Sequence, residues 1–439
     1  MSRSSSSIRT ALAGAGAIGL AGLIANVANI LTTFALSHLL VSRQYGSFNV
    51  LVYIFLILTM PGYAVIVAVV RQLTIWKSNS EFENSKAIVA RWRLLAIIIT
   101  AGVFILSLIF GRHLSQELAV RDWSDLPPIL VAGTGWLLLS IDRGIIQAEL
   151  AYRNMARNLL VEGLVRTAVT LILVIAGLGV EGAMLGILAS AVLADLDARL
   201  SIASFIGQNR PNDREHLADV EIAISGESPM PHFESSRYVV DFFVGLCGLA
   251  MLAALAGVDV VIIGHQDPGG SGSYAAIAVI SKVLFFAALI LSGYLLPEAT
   301  SRWHKGQSAL NPLVITLCIL TSCWAALEVF SMFFARYFMK LVFPHRLMAD
   351  VGHLPVLVAA MGLLGLSVII VYYFMGIGRG EVLAILLLAL VSLLVVVGNS
   401  KGRPGFVVRG DLIVQLGLFA CLLAYLVFVS SRSSKIIEI

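Results

Sequence analysis

The chain has 439 residues, 59% of them hydrophobic and 13% charged, at a mean hydropathy of +0.92, whereas soluble domains run at roughly 45–50% apolar and about 25% charged. This composition describes a polytopic membrane protein: spans of about 20 apolar residues consume almost the whole length and leave no room for a separate soluble enzyme domain. The net charge of +4 does not point to nucleic acid, because basic residues in so apolar a chain first serve as topology determinants.

Cysteine and histidine usage suggests neither a cofactor nor a metal. Cys247, Cys318, Cys323 and Cys421 fall inside apolar runs, with Cys318 and Cys323 on different helix faces, so no disulfide framework or zinc site is indicated. The histidines are scattered over loops and span ends.

In chain order the first apolar span is 11–36. It follows Arg3 and Arg9 but is too long for the h-region of a signal peptide, about 7–15 residues, and reads as an uncleaved anchor. Its Gly14, Gly16, Gly19 and Gly22 permit close helix contact. Asn26 and Asn29, three residues apart, share a face and either line a polar lumen or hydrogen-bond to a neighbouring helix. The second span, 48–70, holds Pro61 and Gly62 at its middle, where a kink or hinge is expected. A third span follows at 94–111.

The fourth span, 126–148, carries Asp142 and Arg143, and the fifth, 159–178, carries Glu162 and Arg166 at i,i+4 spacing. A charge near the bilayer centre costs on the order of 3 kcal/mol on the lenient scale, so these four residues read first as interhelical ion pairs. The sixth span, 182–205, continues through Asp195, Asp197 and Arg199. The polar stretch 206–237 is a linker. Beyond it come spans at 238–263, 274–297, 312–335, 354–375, 382–398 and 412–430.

Three charges stand out in this second group. Lys282 lies about 12 Å into its span at 1.5 Å per residue, too deep to snorkel easily. Asp259 is shallower, so pairing requires the lysine to stretch outward. Glu328 has no local partner and is either a coupling-proton carrier or a hydrogen-bonded packing residue.

If the N-terminus is cytoplasmic, the inside segments carry twice as many Lys and Arg as the outside ones, which places both termini in the cytoplasm. The chain also repeats: laying Gly46 on Gly272 aligns YGSFNVLVYIFLIL with SGSYAAIAVISKVL. Six helices per repeat is an even number, so the repeats share one orientation. The expected fold is all-α, with about twelve transmembrane helices in two six-helix parallel repeats around a central cavity: an N-terminal bundle at 1–205, the cytoplasmic linker at 206–237 and a C-terminal bundle at 238–439.

Three stretches carry a family resemblance: GLIANVANILTTFALSHLLVSRQYGSFNVLVYIFLIL, with its Tyr45-Gly46 turn; DRGIIQAELAYRNMARNLLVEGLVRTAVTLIL; and GVDVVIIGHQDPGGSGSYAAIAVISKVLFFAALILSGYLLPEATSR, with Asp259, a Gly-rich turn, Tyr274 and Pro297. Across residues 18 to 302 the chain resembles polysaccharide (O-antigen) flippases of the Wzx type, in the multidrug/oligosaccharidyl-lipid/polysaccharide (MOP) exporter superfamily. From Asn311 onward only hydropathy matches. The linker is longer and more acidic than the family pattern, and twelve spans set the chain apart from the fourteen-helix lipid II flippases of the superfamily.

The resemblance implies a bacterial inner-membrane transporter that moves a polyprenyl-diphosphate-linked oligosaccharide from the cytoplasmic to the outer leaflet for cell-surface polysaccharide biosynthesis. Its partners would be that lipid-linked substrate and the bilayer, with a polysaccharide polymerase and glycosyltransferases as further candidates. Under this reading Lys282, Arg143 and Arg166 contact the diphosphate, with Asn26 and Asn29 along the sugar path. Asp259, Glu328, Asp142 and Glu162 are then coupling groups or ion-pair partners.

A MATE-like exporter is the alternative, although it wants a carboxylate in the first helix and 11–36 has none. A membrane glycosyltransferase or polymerase needs acidic residues on a sizeable outer loop. The first such loop, SHLLVSRQYGS, has none, and 336–353 has only Asp350, so the expectation is a non-enzyme.

Overall fold

The computed structural model describes all residues except 1, 79–81, 119, 121, 150, 209–234, 305–309 and 438–439; the linker at 206–237 therefore lies largely outside the described residues. Every regular element among the described residues is helical, as a lipid-exposed backbone requires, because a helix satisfies its own N–H and C=O groups. The main helices are α1 (Ser2–Leu39), α2 (Ser42–Ser78), α3 (Phe82–Glu117), α4 (Leu126–Ala148), α5 (Tyr152–Leu173) and α6 (Gly179–Gln208). They continue as α7 (Ser235–Gln266), α8 (Ser271–Ser281), α9 (Val283–His304), α10 (Leu310–Val342), α11 (Leu354–Gly376), α12 (Val382–Gly398) and α13 (Pro404–Ile437).

Among the described residues ten helical stretches are long and apolar enough to cross a membrane, and α12 is a shorter apolar helix. One of the ten, Tyr152–Ser204, is a hairpin. At its turn Gly177 and Gly179 take positive φ of 97° and 57°, a region glycine enters at no steric cost. Thr170 packs against Gly186, and Asn158 reaches the carbonyl of Ala194, so α5 and α6 run antiparallel. Each of the twelve apolar spans thus contains helix. The eighth is interrupted at Lys282, which separates α8 from α9.

The chain divides into two compact units that do not follow its midpoint. Unit 1 comprises residues 1–35, 61–109 and 127–239, and unit 2 comprises 36–60, 110–126 and 240–439. The boundary inside α2 falls at Pro61, although the helix itself runs on without interruption.

The side chains explain why 36–60 belongs with the C-terminal helices. One guanidinium nitrogen of Arg346 donates to the carbonyls of Ser37, His38 and Leu40 at 2.9, 3.0 and 2.7 Å, satisfying orphan acceptors at the C-terminal end of α1. The His38 ring lies 2.8 Å from the Val342 carbonyl. On α7, Gly257 and Gly264 leave room for Tyr53 and Val50, the close approach that small residues allow in membranes.

The two glycines superposed by the repeat meet one another. A Cβ on Gly46 would lie 1.9 Å from Ser271 Oγ and 3.0 Å from the Gly272 nitrogen, and one on Gly272 would lie 2.2 Å from the Ser42 carbonyl. Ser273 donates to Asp350, the acid of the loop between α10 and α11. Burial pushes the Asp350 carboxyl above the usual carboxylate range, opposed by the Ser273 hydroxyl and by His353.

Of the first-helix glycines, the surroundings of Gly14, Gly16 and Gly19 lie outside the described residues. Gly22 faces open space, and the close contact of α1 within unit 1 is made instead by Ala25 against Gly163 of α5.

These contacts predict a contrast. Gly272→Ala forces a backbone carbonyl to move and should cost about 1–3 kcal/mol, read as a lower melting temperature of the detergent-purified protein. Gly22→Ala should leave it unchanged or slightly higher, because alanine is the better helix former. Equal melting temperatures would remove the packing role of Gly272.

Candidate functional site: two buried charge networks

In unit 1 the charges of α3 to α6 gather where α3 begins, α4 ends, α5 begins and α6 ends. Glu162 lies at their centre. Its two oxygens accept from Arg143 and from Arg166, each at 2.6 Å. Arg143 is buried, with its Nε donating to Asn158 Oδ1 at 2.8 Å and its guanidinium 5.5 Å from the centroid of Trp136. Asn158 in turn donates to the Ala194 carbonyl and to Asp197. One glutamate therefore holds two arginines, one on each oxygen, through charge-assisted bonds.

Asp142 does not join this group. It turns away from Arg143 to take Arg93 of α3, whose Nε donates at 2.8 Å, and Arg199 of α6 at 3.5 Å. Arg199 also pairs with Asp195 at 2.9 Å, and Arg157 with Asp197 at 2.9 Å. The physical reason is register: adjacent residues on a helix point about 100° apart, so Asp142 and Arg143 serve different neighbours. Among the described residues the network holds five arginines (93, 143, 157, 166, 199) against four carboxylates (142, 162, 195, 197). Arg157 and Arg199 leave 53% and 43% of their side chains exposed.

In unit 2 the charges lie deeper and drier. Lys282 Nζ donates to Asp259 Oδ1 at 2.7 Å, with both side chains 1% exposed. The outward reach that the depths demand is made by the lysine side chain: at Lys282 the backbone stays right-handed helical and keeps its bonds from Lys282 N–H to the Ala278 carbonyl and from Phe286 N–H to the Lys282 carbonyl. Tyr274 donates to the other oxygen of Asp259 at 2.8 Å, and the ammonium lies 4.1 Å from the ring centroid of Tyr53, within the range of a cation–π contact. Asp411 and Gln415 of α13 are also fully buried, and the Gln415 amide donates to Asp411 Oδ1 at 3.0 Å. Asp411 is within electrostatic reach of both Asp259 and Lys282.

The other sequence candidates lie apart from these networks. Glu328 on α10 is half-buried, with its Oε2 unpartnered and Trp324 one turn before it. Asn26 is exposed, while Asn29 is half-buried with an unpartnered Oδ1. Pro61 is half-buried, and Gly62 is packed so closely on Ser140 and Trp136 that a Cβ there would come within 2.3 Å of the hydroxyl.

Sequence reasoning missed five members. Arg93, Arg157 and Asn158 lie just before apolar spans, where nothing in the hydropathy marks them as interior, and Asp411 precedes the apolar run 412–430 by one residue. Gln415 is a lone amide in an apolar run. Its spacing of four from Asp411 was the available signal. Chemically, the unit 1 network offers fixed guanidinium donors, while the unit 2 network offers a dry ion pair and a second acid.

No family model and no curated protein sequence matches the chain. Solved structures do. An inward-facing multidrug resistance MATE family transporter of the MOP superfamily superposes at a TM-score of 0.69 and 13% identity, covering 94% of this chain and 96% of the other. The lipid II flippase MurJ, in an inward closed conformation, gives 0.68 and 12%, with 93% and 87% covered. A MOP superfamily transporter from Pyrococcus furiosus, described as having a binding pocket of reversed polarity, gives 0.56 and 14%, with 94% and 95% covered. At these identities the likeness establishes the fold: this chain is built as MOP superfamily transporters are.

The unit 2 pair makes a direct prediction. Lys282→Met strands a buried carboxylate, and losing one partner of such a pair costs about 3–5 kcal/mol. The double variant Lys282→Met/Asp259→Asn should recover most of that loss in melting temperature and membrane yield. Equal stability of the single and double variants would show that the pair bears no structural weight.

Proposed function

We propose that the protein is a membrane transporter that flips a polyprenyl-diphosphate-linked oligosaccharide between leaflets, the sugar and diphosphate following a polar path while the lipid tail stays in the bilayer. The observation that carries this reading is the excess of arginine in the unit 1 network, five guanidiniums over four carboxylates with the outer edges of Arg157 and Arg199 exposed. A diphosphate carries close to two negative charges and must exchange its hydration for fixed donors; guanidinium groups supply these in bidentate geometry. The fold shared with a lipid II flippase supports the same reading. So does the first helix, which has no carboxylate in 11–36.

Within this reading Arg157, Arg166 and Arg199 receive the headgroup, while Arg143, buried against Glu162 and Asn158, holds the receiving surface in shape. Lys282 would contact substrate only in a conformation that releases it from Asp259. The boundary of the two units at Pro61 makes Pro61 and Gly62 the place where α2 would bend during transport. We place the protein in the bacterial inner membrane, with both termini cytoplasmic and the polymerase and glycosyltransferases of the same glycan as neighbours.

A second reading, ion-coupled export of small molecules, draws equal support from the fold shared with MATE transporters. The two readings differ in what the exposed arginines do. In cells that depend on this chain for surface glycan, Arg157→Gln/Arg199→Gln should lower glycan export at least tenfold at matched membrane protein. The corresponding double lysine variant should keep part of it. Normal export by the glutamine variant would overturn the headgroup role, and drug resistance conferred by the unaltered chain without any glycan export would favour the second reading.

A further inference from the structure

The buried core of unit 2 contains an imbalance that the flippase reading does not use. Asp259, Lys282 and Asp411 are all at most 1% exposed, so two carboxyl groups share one ammonium in a core closed off from the surface. Lys282 is already committed to Asp259 at 2.7 Å. An uncompensated charge in such a place is far costlier than a neutral acid.

The hydrogen bonding around Asp411 shows where the compensation lies. Gln415 Nε2 donates to Asp411 Oδ1 at 3.0 Å, but Asp411 Oδ2 and Gln415 Oε1 are both buried and have no partner. Two orphaned acceptors on two side chains already bonded to each other lack one donor between them. A single proton on Oδ2 supplies it, turning the pair into a carboxylic acid–amide ring in which each group donates once and accepts once.

We propose that Asp411 and Gln415 form a proton-binding site within the membrane-spanning part of unit 2, with Asp411 carried as a neutral acid. Among the described residues the groups facing it are Asp259 on α7, Tyr274 on α8, Lys282 between α8 and α9 and Gln415 on its own helix, while His353, in the turn before α11, lies against Gly405 near the start of that same helix. Tyr53 of α2 lies against the lysine. Helices α11 and α12, which pack on α13, carry no acidic or basic side chain. Tyr372 and Tyr373 lie near the far end of α11, roughly 18 Å deeper than Asp411 at 1.5 Å per residue.

The site has a built-in consequence. When the proton leaves Oδ2, the core holds two carboxylates and one ammonium, and Lys282 must then serve both acids. Proton release and a change in the partnership of Lys282 are therefore one event, a two-state element of the kind a proton gradient can bias. This inference stands on the unit 2 core alone and does not require the glycan reading.

The test is infrared spectroscopy of the full-length protein in nanodiscs at neutral pH, with 13C-labelled aspartate. The wild type should show the carbonyl stretch of a protonated aspartic acid, sensitive to D2O, which Asp411→Asn removes while the melting temperature stays within a few degrees. Should Asp411→Asn fail to fold, Gln415→Leu serves instead, and the band should shift because its acceptor is gone. Absence of the band in the wild type, or a band unmoved by Gln415→Leu, would overturn the proposal. The melting temperature should also be the same in sodium and potassium chloride; a sodium-specific rise would show that a metal cation, and not a proton, fills the site.

Discussion

The constraint on which the structure turns is that a charge in the bilayer must find its partner within the protein. Water is not available to solvate it, and the cost of leaving it alone is comparable to the stability of a whole domain. Both compact units meet this constraint, but differently. Unit 1 spreads it over four helices, with Glu162 bridging Arg143 and Arg166 and Asp142 joining Arg93 to Arg199. Unit 2 gathers it around one buried pair, Lys282 and Asp259, walled by Tyr53 and Tyr274 and with Asp411 beside it. In each case the ion pairs tie helices that otherwise meet through apolar and small-residue contacts, which lack a hydrophobic driving force in lipid.

The difference between the units suggests a division of labour. The unit 1 network reaches the protein surface through Arg157 and Arg199, so those guanidiniums could change partners without uncovering a buried charge. The unit 2 core is closed, and any change in its protonation must be answered by Lys282. Around both, glycines set the packing distance: Gly163 admits α1, Gly257 and Gly264 admit the first half of α2, and Gly46 and Gly272 admit each other.

Much of this fold was legible in the sequence. Twelve apolar runs give helices at their expected positions because length and hydropathy alone decide what can cross a bilayer, and the MOP-type fold agrees with the resemblance carried by residues 18 to 302. The Glu162–Arg166 pair followed from i,i+4 spacing. The partner of Asp142 did not, because α3 extends N-terminal of its apolar run and brings Arg93 into the helix. The Lys282–Asp259 bond looked strained from depth alone, since spacing along a helix does not show how far a lysine side chain reaches toward its neighbour. The unit boundary at Pro61 was likewise hidden: it depends on tertiary contacts, notably those of Arg346 with the end of α1, which link residues some 300 positions apart.

The central claim is that the intramembrane charges are structural partners first and that function draws on what they leave exposed. Glu162 tests it most directly, because one substitution to glutamine removes the negative charge that two arginines share, and one of its two acceptor oxygens. Thermal unfolding of the purified protein in detergent should show Glu162→Gln well below the wild type, with much of the loss regained in Glu162→Gln/Arg143→Gln, where no buried guanidinium is left facing an amide. A Glu162→Gln protein that melts with the wild type would contradict the account.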